Sequence, residues 1–188
     1  MEKGKFFFYP AQFWSHKNHY NLLLAFKEFS KLYPSVKLVL SGSDKGNLPY
    51  IKEVIDELTL DDAVCYAGFA EMEEVYTFYK NSIALIMPTF LGPTNLPLLE
   101  AAMLGTPVIA SDLKGHKELL GNYAAYIDPA DHRSIFVAMV EILQRNVSTR
   151  IPYINTRFTL EACLVAIEEI LPKLVPYRRA FGYNFQQY

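Results

Sequence analysis

Ile83-Ala84-Leu85-Ile86-Met87-Pro88, then Thr89-Phe90-Leu91-Gly92-Pro93-Thr94-Asn95-Leu96-Pro97-Leu98-Leu99-Glu100-Ala101, then Gly105-Thr106-Pro107-Val108-Ile109-Ala110-Ser111 is the stretch that decides the fold. Its first part is a short apolar run, as a buried strand requires. Thr94 or Asn95 is a natural N-cap, and Pro97 is tolerated in a first helical turn. Gly105 is a helix stop, and Val108 to Ser111 is again strand-like. The order is strand, loop, helix, strand. In such a unit the helix N-terminus sits at the carboxyl edge of a parallel sheet, where free N–H groups favour an anion.

Glu100 stands out because Leu96, Pro97, Met103 and Leu104 surround it at helical spacing. Two readings follow. If buried, the carboxylate needs a polar partner, and a ligand hydroxyl would serve. If open to water, it is an early-helix acid favoured by the dipole.

Outward from this unit the alternation repeats. Strands are expected at Lys5–Tyr9, Val36–Ser41, Ala63–Ala67, Ile83–Met87, Val108–Ser111 and Ala124–Asp128. Helices are expected at about 17–33, 50–58, 71–80, 114–120 and from Asp131 to about 144. Short connections and six alternations predict an α/β domain: a Rossmann-like, open parallel six-stranded sheet with helices on both faces. After a loop over 146–156, a last helix is expected from Arg157 to Leu171, ended by Pro172 and Pro176. Residues 1–172 therefore read as one Rossmann-like domain and 173–188 as a tail with no assignment.

With 51% apolar residues, the 188-residue chain can fill one core. A net charge of −2 gives no electrostatic support to a nucleic-acid partner. Cys65 and Cys163 read as buried thiols in a reducing compartment. No apolar run reaches membrane-spanning length and no signal-peptide pattern opens the chain. The expectation is a cytoplasmic protein, with the inner face of the membrane open as a docking place. No Gly-x-Gly-x-x-Gly follows the first strand, which argues against a dinucleotide dehydrogenase. His16 and His19 have no acidic or thiol companions at ligand spacing and read as loop and surface residues.

Thr89 to Asp112, with Glu100 and the Gly-Thr-Pro-Val-Ile segment, resembles the C-terminal donor-binding domain of GT-B glycosyltransferases of family 4. The Gly-Pro-Thr-Asn-x-Pro version is similar to that of polysaccharide and lipopolysaccharide transferases. The likeness covers roughly Phe6 to Leu143. It implies one half of a GT-B fold and retaining, metal-independent transfer of a hexose, such as mannose, to a hydroxyl in surface-polysaccharide assembly. It implies a nucleotide diphosphate sugar as co-substrate and no cofactor. The acceptor, a glycan or lipid-linked sugar, would be held by an N-terminal domain that this chain lacks. A non-catalytic nucleotide-sugar-binding module is the alternative.

The resemblance also implies roles for particular residues. Lys17 matches the lysine that binds the donor diphosphate, and Glu100 the second acid of a Glu-x7-Glu motif, which binds ribose hydroxyls. Both are the catalytic candidates. Two positions depart from the pattern: the first acid falls at Gly92, and the arginine paired with the lysine falls at Gln12, which can hydrogen-bond a phosphate but brings no charge. Gly42 and Ser43 would line the nucleotide pocket and Phe69 would lie against the base, unless it is a core residue. Thr94, Asn95 and Leu96 would meet the distal phosphate and the sugar, unless the first two only cap the helix.

Overall fold

A computed structural model describes residues 2–92, 95–145 and 159–180. By its contacts the chain divides into two compact units, 1–153 and 154–188, whereas the sequence grouped the last helix with the sheet.

The first unit holds strands β1 (Phe6–Pro10), β2 (Lys37–Ser41), β3 (Val64–Tyr66), β4 (Leu85–Met87), β5 (Val108–Ser111) and β6 (Ala125–Ile127). Helices α1 (His19–Leu32), α2 (Leu48–Glu57), α3 (Met72–Asn81), α4 (Leu96–Met103), α5 (Lys114–Leu120) and α6 (His132–Gln144) alternate with them. All neighbouring strands are parallel, in the order β3-β2-β1-β4-β5-β6. The expected α/β sheet is therefore present.

β1 explains why the sheet is covered on both faces. Phe6, Phe7, Phe8 and Tyr9 are all buried, and successive strand residues point to opposite sides. Phe6 and Phe8 meet Phe78 of α3, while Phe7 meets Phe29 of α1 and Tyr9 meets His19. The four rings thus tie α1 and α3 to opposite faces. α1 also packs on α2 and α6, and α4 on α5.

The order reverses between β1 and β4. From β1 the chain winds outward through β2 and β3, then returns to β4 and winds the other way. The loops leaving these two central strands part to opposite faces and open a crevice at the carboxyl edge, where such sheets take ligands.

In the second unit, α7 runs from Leu160 to Ala180. Pro172 and Pro176 lie within it, so the expected stop at proline does not occur. A proline removes one N–H bond and crowds the carbonyl four residues back, but the rest of the ladder can carry the helix on. Both cysteines are exposed, which corrects the expectation of buried thiols. Cys65 sits on β3, the edge strand with β2 on one side only, so burial stops there. The thiol argument for a reducing compartment loses its ground. Among the described residues, no helix is long and apolar enough to cross a membrane.

Candidate functional site

The crevice at the β1/β4 divide has a volume of about 330 Å³. The β1–α1 loop contributes Gln12, His16 and Lys17 to its lining, and the β4–α4 segment contributes Asn95 and Pro97. Lys17 ends a 3₁₀ turn, Ser15–Lys17, just before α1 rather than lying in the helix. The backbone of this turn is held from other elements: the Tyr9 hydroxyl donates to the Lys17 carbonyl at 2.6 Å, and Phe90 N–H at 2.9 Å and the Thr89 hydroxyl at 3.0 Å donate to the His16 carbonyl. Asn18 follows in the left-handed region, φ 59°, a conformation asparagine tolerates. Its buried amide donates to the carbonyls of Pro88 at 2.8 Å and Pro129 at 2.7 Å. The lysine loop is therefore pinned to the ends of both halves of the sheet.

Lys17 Nζ donates to Asn95 Oδ1 at 2.9 Å, across 78 positions of sequence. Half-burial lowers the lysine's pKa from its ordinary value. Asn95 occupies the cap position of α4, with φ 37°, yet its side chain does not cap. A capping oxygen accepts an N–H from the first helical turn. Here that oxygen faces Lys17, and the amide nitrogen donates to the Gly92 carbonyl at 2.9 Å. Capping alone therefore does not account for Asn95.

Gly92 and Asn95 depend on one another. A Cβ at Gly92 would fall 2.3 Å from Asn95 Nδ2 and 2.5 Å from Oδ1. Where the resemblance called for an acid, the asparagine amide fills the space. Gly42 is constrained in the same way by a different neighbour: its Cβ would lie 2.2 Å from the Ala11 carbonyl oxygen. Its lack of a side chain lets the loops after β1 and β2 close on each other, and Phe13 N–H donates to the Ser43 carbonyl at 3.0 Å. A backbone neighbour, not open space, takes up the room at Gly42.

Of the remaining candidates, Gln12 lines the crevice, is exposed and accepts from Trp14 Nε1 at 3.0 Å. Leu96 and Phe69 are exposed, so Phe69 is not a core residue. Glu100 is one turn further along α4, outside the crevice lining. It is exposed and also partnered, since the Tyr79 hydroxyl donates to its Oε2 at 2.8 Å. Burial, followed by the charge of Glu100 and this bond, holds the Tyr79 phenol well above the usual tyrosine range. Thr94 lies outside the described residues.

His19 departs from the surface reading: it is 1% exposed. Its ring stacks on Phe13 at 4.3 Å, and neither ring nitrogen has a partner among the described residues. As the first residue of α1 it faces the aromatic end of β1, which no spacing rule reveals. Burial, with the charge of Lys17 behind it, pushes its pKa down to about 3. Below pH 6.5 the unfolded chain binds a proton that the folded chain refuses. The stability is whole above that pH and falls as pH drops toward about 3, by up to ~1.4 kcal/mol per pH unit. Between pH 7 and pH 4 the thermal midpoint of wild type is expected to fall further than that of His19→Phe. Parallel falls would assign the acid sensitivity elsewhere.

The glycosyl transferases group 1 family matches residues 1–153. The chain belongs to that family. Among relatives of this group 1 transferase chain, the O-antigen chain mannosyltransferase RfbU of Salmonella typhimurium is 28% identical over 143 residues, 76% of this chain and 40% of that protein. O-antigen chain mannosyltransferase B of Escherichia coli is 27% identical over 132 residues, 68% of this chain and 34% of that protein. The chain thus spans less than half the length of these curated relatives. Its fold is similar to that of sucrose-phosphate synthase from Thermosynechococcus elongatus, with a TM-score of 0.76 at 22% identity, over 93% of this chain and 46% of that one. Anabaena Alr3699/HepE, solved in complex with UDP and glucose, has a TM-score of 0.70 at 17% identity, over 92% of this chain and 49% of that one.

Proposed function

We propose that this group 1 chain is the donor-binding half of a retaining glycosyltransferase. It takes a nucleotide diphosphate sugar and presents its hexose, mannose or a close relative, to a hydroxyl acceptor in surface-polysaccharide assembly. The observation that carries the reading is the ammonium of Lys17 held beside the start of α4 in the crevice between β1 and β4. As the sugar leaves, charge develops on the diphosphate. A fixed cation and helix N–H groups aimed at that charge stabilise it without rearrangement at the moment of reaction. In this reading no metal is called for. The mannosyltransferase relatives support the choice of sugar, and the UDP- and glucose-bound neighbour supports the class of ligand.

Glu100 is proposed to accept from the ribose hydroxyls, with the Tyr79 hydroxyl holding one of its oxygens. Gly42, Ser43 and Phe69 would border the nucleoside, and Gln12, Asn95, Leu96 and Thr94 the phosphates and sugar. A non-catalytic nucleotide-sugar-binding module is the second reading. The neutral Gln12 and the missing acid at Gly92 favour it.

Calorimetric titration of the chain with UDP, GDP and NAD tests both readings together. Heat with a nucleoside diphosphate and none with NAD is expected; the reverse would reject them. Glu100→Ala is expected to weaken the bound diphosphate about tenfold, the worth of a hydrogen bond to a charged group, with the fold intact and some stability lost with the Tyr79 bond. Unaltered affinity would remove Glu100 from the site. Transfer of sugar by a longer chain carrying an acceptor-binding half separates enzyme from module.

A further inference from the structure

Behind Asn95 lies His116 of α5, with none of its surface open to solvent. Its Nδ1 is 2.9 Å from the Ser111 carbonyl, at the end of β5. A carbonyl can only accept, so Nδ1 carries the proton and Nε2 is left as an acceptor. Nε2 lies 2.7 Å from Asn95 Nδ2. The amide nitrogen has two hydrogens, one for His116 and one for the Gly92 carbonyl. Its oxygen must then face the other way, toward the ammonium of Lys17. The result is a directed chain from Ser111 through His116 and Asn95 to Lys17, in which every donor meets an acceptor.

We infer that His116 is a positioning residue: it sets the orientation of the Asn95 amide and, through it, the place of the Lys17 ammonium over a bound diphosphate. This rests on the proposed diphosphate role of Lys17. With the amide reversed, its NH₂ group would face the ammonium, donor against donor. A proton on Nε2 would force that reversal. Burial first, and the Lys17 charge with it, opposes this proton; the Ser111 and Gly92 carbonyls act the other way, and the net direction is downward. The other charges nearby are engaged: Lys117 with Asp112 at 2.6 Å, Lys114 with Glu118 at 3.8 Å, and Glu100 of α4 with Tyr79. The ring therefore stays neutral and keeps its acceptor toward Asn95.

Two substitutions separate positioning from bulk. His116→Leu keeps an apolar filling but has no acceptor, whereas His116→Gln can offer an oxygen to Asn95 and an NH₂ to Ser111. Each is titrated with UDP and GDP, and with uridine and guanosine as diphosphate-free controls. His116→Leu is expected to weaken the diphosphate that wild type binds about tenfold and leave the nucleoside unchanged, and His116→Gln to restore most of the loss. Joined to Asn95→Ala, His116→Leu should add nothing, since it acts through that amide. Unchanged diphosphate affinity in His116→Leu, beside a weakened Lys17→Ala, overturns this inference and leaves the diphosphate reading standing. Unchanged affinity in Lys17→Ala as well defeats the reading itself. Should His116→Leu not fold, nitrogen NMR of the wild-type imidazole decides: a proton on Nδ1 is expected, and one on Nε2 overturns the inference.

Discussion

Lys17→Ala is expected to lower affinity for a nucleoside diphosphate by about 10- to 100-fold, the range of a hydrogen bond to a charged group. Affinity for the bare nucleoside should not change. The anchors of this loop are backbone carbonyls of His16 and Lys17 and the side chain of Asn18, all of which the substitution keeps. The loop is thus expected to hold its shape, and the loss to be one of charge. Lys17→Met, which retains an apolar stem, should lose as much as alanine. Lys17→Arg keeps the charge, but its planar fork does not reproduce a single ammonium 2.9 Å from Asn95 Oδ1, so partial recovery is expected. Calorimetry on the four proteins checks this. Equal weakening of diphosphate and nucleoside would place Lys17 outside the phosphate site.

The largest effect on stability is expected at Asn18. Its amide donates to two prolyl carbonyls, and it holds a left-handed backbone at the start of α1. Asn18→Ala strips the buried Pro88 carbonyl of this donor, leaves Pro129 with Asn21 alone, and puts a Cβ-bearing apolar residue at φ 59°. Summed, the lost bonds and the backbone cost come to ~3–4 kcal/mol. That corresponds to a fall of roughly 6–16 °C in melting temperature for a domain of this size. Asn18→Gly relieves the backbone cost but not the lost donors, and should fall between alanine and wild type. If alanine and glycine melt together, the left-handed backbone carries no cost. If both match wild type, the pin between the two halves of the sheet is not what holds the loop.

The alternation of strand and helix was readable because it is local. Runs such as Phe6–Tyr9 and Leu85–Met87 are apolar over strand length, and Gly105 punctuates α4. Lys17, Asn95 and Glu100 were nameable for the same reason, as each sits at a set distance from a strand end or helix start. Where their side chains point was not. Asn95 looked like a cap by position, yet its oxygen turns to a lysine 78 residues away. His19 looked like a surface residue, yet it stacks under Phe13. His116 had no visible role, because its partners come from the end of β5 and the start of α4.

The sequence by itself determined that this chain is an α/β sheet protein with an amine and an anion-favouring helix start at strand ends. Only the tertiary structure decided that β1 and β4 are neighbours, that their loops face across one crevice, and that Glu100 lies beside Tyr79 outside it. The physical reason is range. Periodicity and caps act within a turn or two of chain, while strand order and the direction of a buried polar side chain depend on which distant groups must satisfy one another.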